Sequence, residues 1–206
     1  MGQCYLIPSR QQTLNLLPSR KSKIETMYSR LESTTIINKN LILLFASWID
    51  KKSPPYSSPG EVKYEFKLLY RSSRDGLKPE IFHQKYGKIK MTLVVAKIQN
   101  SDQLVGGYNP LNWNGNEWKR TTESFIFNIS NRNDVNTAQL SYVINNDYDY
   151  AIHCNPSYLP IFGGGSDIYF KTEGCIGVYK STYNNINIVN GSKFDELEVF
   201  QIIDKN

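Results

Sequence analysis

The feature that most constrains the fold is a series of short segments, rich in β-branched and aromatic residues, that fills the chain beyond Lys88. Clusters of turn-forming residues, such as Asn109-Pro110 and Asn114-Gly115, separate these segments. Short apolar segments bounded by such clusters are typical of β-strands. The pattern predicts a mainly β domain of the α+β type, a sandwich of two antiparallel sheets flanked by a few short helices. The predicted strands are residues 64–70, 91–98, 103–108, 124–129, 139–144, 150–154, 167–170, 175–179 and 196–203.

Two helices are predicted before the strand-rich region. The first begins after Asn38, whose side chain can accept a hydrogen bond from a free backbone N–H, and ends before Ser53-Pro54-Pro55. The second covers residues 79–86, because proline suits the first helical position and Gly87 suits the end. The first helix has one apolar face, formed by Leu41, Leu44, Phe45, Trp48 and Ile49.

The sequence predicts a cytoplasmic protein without a transmembrane segment, with a peripheral position at vacuolar or endomembranes as the alternative location. The 206 residues are 40% hydrophobic and 21% charged, which is typical of a globular domain. No apolar stretch reaches the roughly 18–20 residues needed to cross a bilayer. The first residues do not resemble a secretory signal. The three cysteines, Cys4, Cys154 and Cys175, are odd in number, which favours a reduced, intracellular chain.

Residues 1–34 are predicted to form a weakly ordered basic tail, because they lack periodicity and contain Pro8 and Pro18. The tail carries most of the net charge of +5. The chain has no dense basic stripe, so we expect no nucleic-acid partner. Gly2 and Cys4 raise the question of lipidation, but Leu6 stands where myristoylation requires Ser or Thr, so none is expected.

Motifs for catalysis are weak, so we predict no catalytic residue, no metal site and no cofactor. His83 and His153 lie far apart, and no Cys-x-x-Cys pair is present. The glycine run that starts at Gly163 lacks the Lys-Ser/Thr of a P-loop. Glu196 and Glu198 would share one strand face, where we expect a solvated acidic edge. The alternative is a redox-active or enzymatic protein that uses Cys154 or Cys175.

Several segments resemble, in order, the motifs of the TLDc domain family. In residues 64–76 a Leu-Tyr pair precedes a Ser-Arg-x-Gly turn, and residues 105–108 read Val-Gly-Gly-Tyr. Residues 122–127 read Thr-Glu-Ser-Phe-Ile-Phe. Later segments resemble the family's glycine turn, at residues 161–169, and its closing strand, at residues 197–200. The resemblance covers about residues 35–204, and we assign residues 35–206 to the domain.

Residues 48–51 and 107–113 further resemble the fungal branch of the family that accompanies BTB or kelch regions, so a remnant of a BTB–TLDc adaptor is another reading. The family includes oxidation-resistance proteins. The resemblance implies a sandwich of two antiparallel sheets, a role in oxidative-stress resistance and, for several members, binding to the vacuolar proton-pumping ATPase. No accepted catalytic mechanism belongs to the family. The resemblance therefore implies a non-catalytic protein-interaction module.

The resemblance and the loop aromatics nominate the candidate interaction residues. We expect Arg74 to pair with Glu123 or Glu198 in a partly buried network, because a guanidinium matches a carboxylate. Trp113 and Trp118 either anchor a partner or cover the end of a sheet. The full set is Ser73, Arg74, Asp75, Gly76, Gly106, Gly107, Trp113, Trp118, Glu123, Ser124, Gly163, Gly164, Gly165 and Glu198.

Overall fold

Two antiparallel sheets and three short α-helices build the protein in the computed structural model, which describes residue 34 and residues 36–144, 147–179 and 181–205. The predicted sandwich is confirmed. The predicted tail lies outside the described residues except at Thr34, and so do Cys4 and the lipidation question at Gly2. The helices are α1 (Lys39–Ile49), α2 (Ser72–Asp75) and α3 (Pro79–Tyr86).

The strands divide into a sheet of six and a sheet of five. The larger sheet has the order β1-β11-β2-β3-β5-β6, and the smaller sheet has the order β10-β9-β8-β7-β4. The strands are β1 (Tyr64–Arg71), β2 (Thr92–Ile98), β3 (Leu104–Asn109), β4 (Trp118–Lys119), β5 (Phe125–Ile129), β6 (Ala138–Tyr142), β7 (Ile152–His153), β8 (Ile161–Phe162), β9 (Ile168–Phe170), β10 (Ile176–Gly177) and β11 (Phe194–Asp204).

Helix α1 covers one face of the larger sheet. The Asn38 side chain accepts from the backbone N–H of Leu41 at 3.1 Å, so the predicted cap is confirmed. Phe45 packs on Phe127 of β5, with ring centroids 5.0 Å apart. This contact and its neighbours form a helix-side core that includes Leu93.

The smaller sheet covers the other face of the larger sheet and closes a second core. Val94, Val105 and Val199 of the larger sheet share this core with Phe162 and Phe170 of the smaller sheet. Burial on both faces explains why residues 91–98 are a nearly continuous apolar run, as the sequence predicted for a central strand.

The sequence missed two strands, β4 and β8, because each has only two residues and therefore no alternation to recognise. Strand β11 begins at Phe194, two residues before the predicted start. It pairs with β1 on one side and with β2 on the other, so the last strand of the chain lies next to the first. Within the described ranges, no helix has the length and apolarity needed to cross a membrane.

Candidate interaction surface

The turn after β1 holds four of the candidate residues. Residues Ser72–Asp75 form the single helical turn α2, which ends at Gly76 with φ of +78°. This is the left-handed conformation that favours glycine, as the sequence predicted. The Tyr70 hydroxyl, which is buried, donates to the Gly76 carbonyl and fixes the exit of the turn.

Glu196 on β11 anchors the start of this turn. The Ser73 backbone N–H donates to its carboxylate at 2.9 Å, and the hydroxyls of Ser72 and Ser73 donate to the same group. The Leu197 N–H in turn donates to the Ser72 hydroxyl at 2.9 Å. Glu196 was not among the candidate residues, although the first residues of a helical turn, here Ser72 and Ser73, have backbone N–H groups that need acceptors.

The predicted partner of Arg74 is wrong. Arg74 Nη2 contacts Asp75 Oδ2 at 2.7 Å, whereas Glu198 binds Arg71 at 2.7 Å and Glu123 binds Lys51 at 3.0 Å. The reason is register. Arg71 is the direct cross-strand neighbour of Glu198, while Arg74 follows the strand end and turns away with α2.

Glu198 is also more deeply placed than a solvated acidic edge would be. Its side chain is fully buried, and besides Arg71 it accepts a hydrogen bond from the Thr34 hydroxyl. A buried carboxylate requires such partners, because its transfer from water is costly. The expectation of a solvated edge therefore fails for Glu198, and this residue organises the fold.

Asp75 is the second carboxylate of the turn. Burial by itself raises its pKa, but hydrogen bonds from the Arg74 side chain and the Arg71 backbone outweigh burial and hold the pKa below the usual range. Lys85 of α3 approaches the same carboxylate at 3.7 Å. Asp75 is thus an ionised link between α2 and α3.

The glycine pair of β3 permits close approach of two neighbours. A Cβ on Gly106 would lie 1.9 Å from the Val94 carbonyl oxygen of the adjacent strand. A Cβ on Gly107 would lie 2.8 Å from the ring of Phe162 in the other sheet. Both glycines are therefore needed for strand pairing and for sheet packing. They do not contribute an exposed contact.

Two further candidates are buried. Trp113 is 1% exposed, and its indole N–H donates to the Thr92 hydroxyl at 2.8 Å. Ser124 donates to the Tyr183 hydroxyl at 2.6 Å, and Tyr183 donates to the Ala151 carbonyl. Of the two explanations offered for Trp113, coverage of the sheet is the one that the structure supports.

The Gly163–165 loop uses its backbone N–H groups internally. Gly164 donates to the Thr182 hydroxyl at 2.8 Å, and Gly165 donates to the Ser181 hydroxyl at 2.7 Å. Gly163 has φ of +84° and faces the buried Asp167. A Cβ on Gly164 would lie 2.9 Å from the Cβ of Tyr150, so the glycine leaves room for this tyrosine.

The smaller sheet has one face on the core and one face directed outward. Ile152, Phe162 and Ile168 belong to the core between the sheets. Successive residues of a strand point to opposite faces, so His153 and Tyr169 point outward. Trp118 lies on the same outward face, because it is the cross-strand neighbour of His153 and its ring stacks on the imidazole.

One residue of each strand forms a cross-strand row on this face, which we call the aromatic row. Trp118 pairs with His153, and Ile161 follows, then Tyr169 and Gly177. The Trp118 and His153 rings stack, with centroids 3.8 Å apart. A Cβ on Gly177 would lie 1.8 Å from the Tyr169 ring, so glycine allows this ring to lie across β10.

Four of the five large apolar or aromatic side chains that are exposed within the described ranges belong to the aromatic row or adjoin it. Trp118 is 37% exposed, Tyr150 50%, Tyr158 48% and Tyr179 58%. Tyr150 packs edge to face on Trp118, with centroids 5.9 Å apart, and Tyr179 stacks on Tyr169. Such concentration of accessible rings on one face is typical of a protein-binding surface.

A cleft of about 260 Å³ opens beside Tyr169 and extends the aromatic row. Tyr158 and Lys171 line it together with Glu173, so it offers a ring and both signs of charge. The Lys171 ammonium lies 5.5 Å from the centroid of the Tyr169 ring.

The charges near the other end of the aromatic row are paired with each other. Arg120 contacts Asp149 at 3.0 Å, and both side chains are well exposed. Lys119 donates to the side chain of Asn112 at 2.6 Å and lies 3.7 Å from Glu117. The rim is therefore polar without a strong excess of either charge.

The cysteines and histidines of the described ranges do not come together in one site. Cys154 is buried, and burial raises the pKa of its thiol, which disfavours a reactive thiolate. Cys175 is partly exposed. Burial lowers the pKa of His153, which stays neutral against Trp118 at neutral pH. Across the described ranges, no three His, Cys, Asp or Glu residues are placed to hold a metal ion.

Comparison with known proteins identifies the domain. The family model of the TLDc domain matches residues 30–203, which is most of the chain. A comparison with curated proteins gives no match. The matched range contains all three helices and all eleven strands except the last residue of β11. The segments that resemble the family's motifs form the turn at Gly76, the glycine pair of β3 and the closing strand β11. The chain therefore belongs to the TLDc domain family.

Proposed function

We propose that the protein is a non-catalytic interaction module that works in the cytoplasm and binds the vacuolar proton-pumping ATPase in support of oxidative-stress resistance. The family membership supports a TLDc-type module. The pump and the stress role follow from what the resemblance implies for several members of the family. The observation that carries an interaction role is the aromatic row, with Trp118 and Tyr150 exposed at one end.

Binding is favoured over catalysis by what the family motifs do in the fold. Most of them position backbone: Gly106 admits a neighbouring strand, Ser124 links buried hydroxyls and Glu198 pairs with Arg71. Arg74, by contrast, has a half-exposed side chain that could contact a partner. The exposed side chains of the motifs and the rings of the aromatic row are thus the two surfaces to test.

The test is capture of pump subunits from a lysate of the source cells with the full chain as bait, followed by direct binding to the purified peripheral sector of the pump. We expect recovery with the wild type and loss with Trp118→Ala combined with Tyr150→Ala. Val189→Ala is the matched control, because Val189 is 68% exposed but lies outside the aromatic row. A folded bait that recovers no pump subunit would contradict the proposal.

The other exposed candidates locate the surface further. Arg74→Ala and Glu123→Ala each remove a half-exposed charge without opening the core. Loss of binding in either variant, with the aromatic row intact, would place the partner at the α2 turn or beside α1. Retention in both would confine the contact to the aromatic row.

The redox alternative has a separate test. We expect the Cys154 thiol to react with a thiol reagent only after unfolding, because it is buried and its pKa is raised. The measurement is reagent uptake in native buffer and in denaturant by a variant that combines Cys4→Ser with Cys175→Ser, which leaves Cys154 as its one cysteine. Rapid reaction of native Cys154 would favour a thiol-based activity over the interaction role.

A further inference from the structure

We propose that Asn114 is a site of spontaneous modification, at which the folded chain converts an asparagine into aspartate and isoaspartate by deamidation. The sequence contains two Asn-Gly pairs, Asn114-Gly115 and Asn190-Gly191. Asn-Gly pairs favour this reaction, because glycine has no side chain to hinder attack by its own backbone nitrogen. The fold leaves the first pair free to react and holds the second pair in hydrogen bonds. This reactivity does not depend on the identity of a binding partner.

The reaction requires only the two residues of the pair and water. The backbone nitrogen of Gly115 loses its proton to water and attacks Cγ of the Asn114 amide, so a new C–N bond forms. The bond from Cγ to the side-chain nitrogen breaks, and ammonia leaves. Water then opens the cyclic imide: cleavage at Cγ gives aspartate, and cleavage at the main-chain carbonyl gives isoaspartate. The net change is hydrolysis of an amide to a carboxylate and ammonium, without oxidation or reduction.

The turn before β4 leaves the reacting groups of the first pair accessible. Asn114 and Gly115 are both exposed. Within the described ranges, neither the Gly115 N–H nor the Asn114 side-chain amide makes a hydrogen bond. The backbone of Asn114 is held in place, because its N–H donates to Asn112 Oδ1 at 3.2 Å. The side-chain amide is therefore free to turn toward the next nitrogen.

Lys119 assists the attack through the carbonyl of the same peptide unit. Its Nζ donates to the Asn114 carbonyl oxygen at 2.6 Å. When the Gly115 nitrogen loses its proton, negative charge is shared with this oxygen. An ammonium group at hydrogen-bond distance stabilises that charge, as a fixed donor does in an oxyanion hole. The interaction therefore favours the nucleophilic form of the Gly115 nitrogen.

The conformation of the turn also requires glycine at position 115. Gly115 has φ of +109°, which disfavours other residues. A Cβ at this position would lie 2.5 Å from Oε1 of Glu117. The fold thus keeps the least hindered residue next to Asn114.

The second pair is protected, because both of its reacting groups are engaged. The Gly191 N–H donates to the Ile176 carbonyl at 2.8 Å. The Oδ1 atom of Asn190 accepts from the Val178 N–H at 3.1 Å. Attack at Asn190 requires both hydrogen bonds to open, so its rate is reduced to the fraction of time that this segment spends open.

The products change the turn that leads into β4. Both add a negative charge beside Lys119, which already lies 3.7 Å from Glu117. Isoaspartate also adds a carbon to the main chain between the buried Trp113 and β4. The Cys154 N–H donates to the Glu117 carbonyl in this turn at 2.9 Å, and we expect isoaspartate to weaken that bond.

The experiment is the ageing of the purified full chain at mildly alkaline pH, followed by peptide mapping in a mass spectrometer. One sample stays folded, and a second is unfolded in guanidinium chloride. In the folded chain we expect Asn114 to be converted about tenfold or more faster than Asn190, because two hydrogen bonds protect the latter. In denaturant the two rates should become similar, because the hydrogen bonds are lost.

A variant tests the role of Lys119. Lys119→Met removes the charge and should slow the conversion of Asn114 several-fold in the folded chain but not in denaturant. Arg120→Met is the matched control, because it removes a neighbouring positive charge that contacts Asp149. Thermal melts establish that both variants are folded. In the separated isoaspartyl form, the Cys154 N–H should exchange with solvent faster than in the unmodified chain.

Three outcomes would overturn the inference. Equal conversion of Asn114 and Asn190 in the folded chain would show that the hydrogen bonds do not protect the second pair. A preference for Asn114 that persists in denaturant would assign the difference to the neighbouring sequence and not to the fold. No conversion of Asn114 in the folded chain, while the unfolded chain reacts, would show that the turn is itself protective.

Discussion

Two arginines in one short segment show how far burial decides the role of a residue. Arg71 has 20% of its side chain exposed and contacts the fully buried Glu198. Arg74 has 50% exposed and contacts its neighbour Asp75. Removing one member of a buried ion pair leaves the other charge poorly compensated, whereas exposed pairs contribute little because water screens them.

We therefore predict different costs for the two substitutions. Arg71→Ala should lower the free energy of unfolding by about 3 kcal/mol, and Arg74→Ala should lower it by about 0–1 kcal/mol. Urea denaturation of both variants measures the difference. Equal costs for the two would mean that the Arg71–Glu198 pair does not organise the sheet edge.

His153 makes stability depend on pH. Burial lowers the pKa of this histidine in the folded protein below its ordinary value of 6.5. As the pH falls below about 6.5, the unfolded chain takes up the proton more readily than the folded chain, so the free energy of unfolding decreases. Above that pH both states are neutral, and His153 contributes no pH dependence.

We predict that the substitution His153→Gln reduces the loss in the free energy of unfolding between about pH 6.5 and pH 5. The measurement is urea denaturation at several pH values for the wild type and the variant. An independent check is the titration of the His153 imidazole by NMR, which should give a value below 6.5. An unchanged slope in the variant would show that His153 is not the group responsible.

At the scale of elements, the spacing of β2, β3 and β5 depends on the absence of side chains on β3. Gly106 lies against the backbone of β2, and Gly107 lies against Phe162 of the smaller sheet. A backbone neighbour cannot move aside as a flexible side chain can, so a larger residue must separate the strands or distort the sheet. Gly60, in contrast, has no atom within 4 Å of its Cβ position.

Gly106→Ala should consequently destabilise the protein by about 3 kcal/mol or more, or prevent folding, as overpacking at a rigid site does. Gly60→Ala should leave stability within about 0.5 kcal/mol. Thermal and urea denaturation of the two variants provide the comparison. A fully stable Gly106→Ala variant would contradict the close approach of β2 and β3.

On the scale of the whole molecule, the larger sheet is shared by two cores. Phe45 belongs to the helix-side core, and Phe162 belongs to the core between the sheets. The strands β2, β3 and β11 contribute side chains to both cores. Because the loss of either core would expose one face of the same strands, we expect the two cores to unfold together.

The prediction is a single transition for the wild type by near-UV and far-UV circular dichroism. Phe45→Ala and Phe162→Ala should each cost about 3–5 kcal/mol and shift that transition as a whole. If one variant instead produced a second transition at lower denaturant concentration, the cores would be independent units.

Several local features were predicted correctly from the sequence because the chemistry of short segments specifies them. The cap at Asn38, the positive φ of Gly76 and the ends of α3 each depend on residues a few positions apart. The continuous apolar run of β2 indicated a strand buried on both faces for the same kind of reason. Such features are properties of short segments, so periodicity and turn chemistry predict them.

Partner choice was predicted less well, because it depends on register between distant segments. The sequence indicated that an arginine would meet a carboxylate, but cross-strand pairing selected Arg71 in place of Arg74. The sequence treated Trp113 and Trp118 alike, as two aromatic residues of one loop. Only the packing of the folded chain shows that Trp113 is buried and Trp118 is exposed.

The sequence alone determined that this chain forms two antiparallel sheets with few helices, and which motifs mark its turns, because alternation, capping and turn preferences act over short distances. Only the tertiary structure decided that Trp118, His153, Ile161, Tyr169 and Gly177 form one row. These residues lie far apart in the chain, and four of the five strands that carry them have two residues each. Their alignment follows from hydrogen-bond register, which no local pattern encodes.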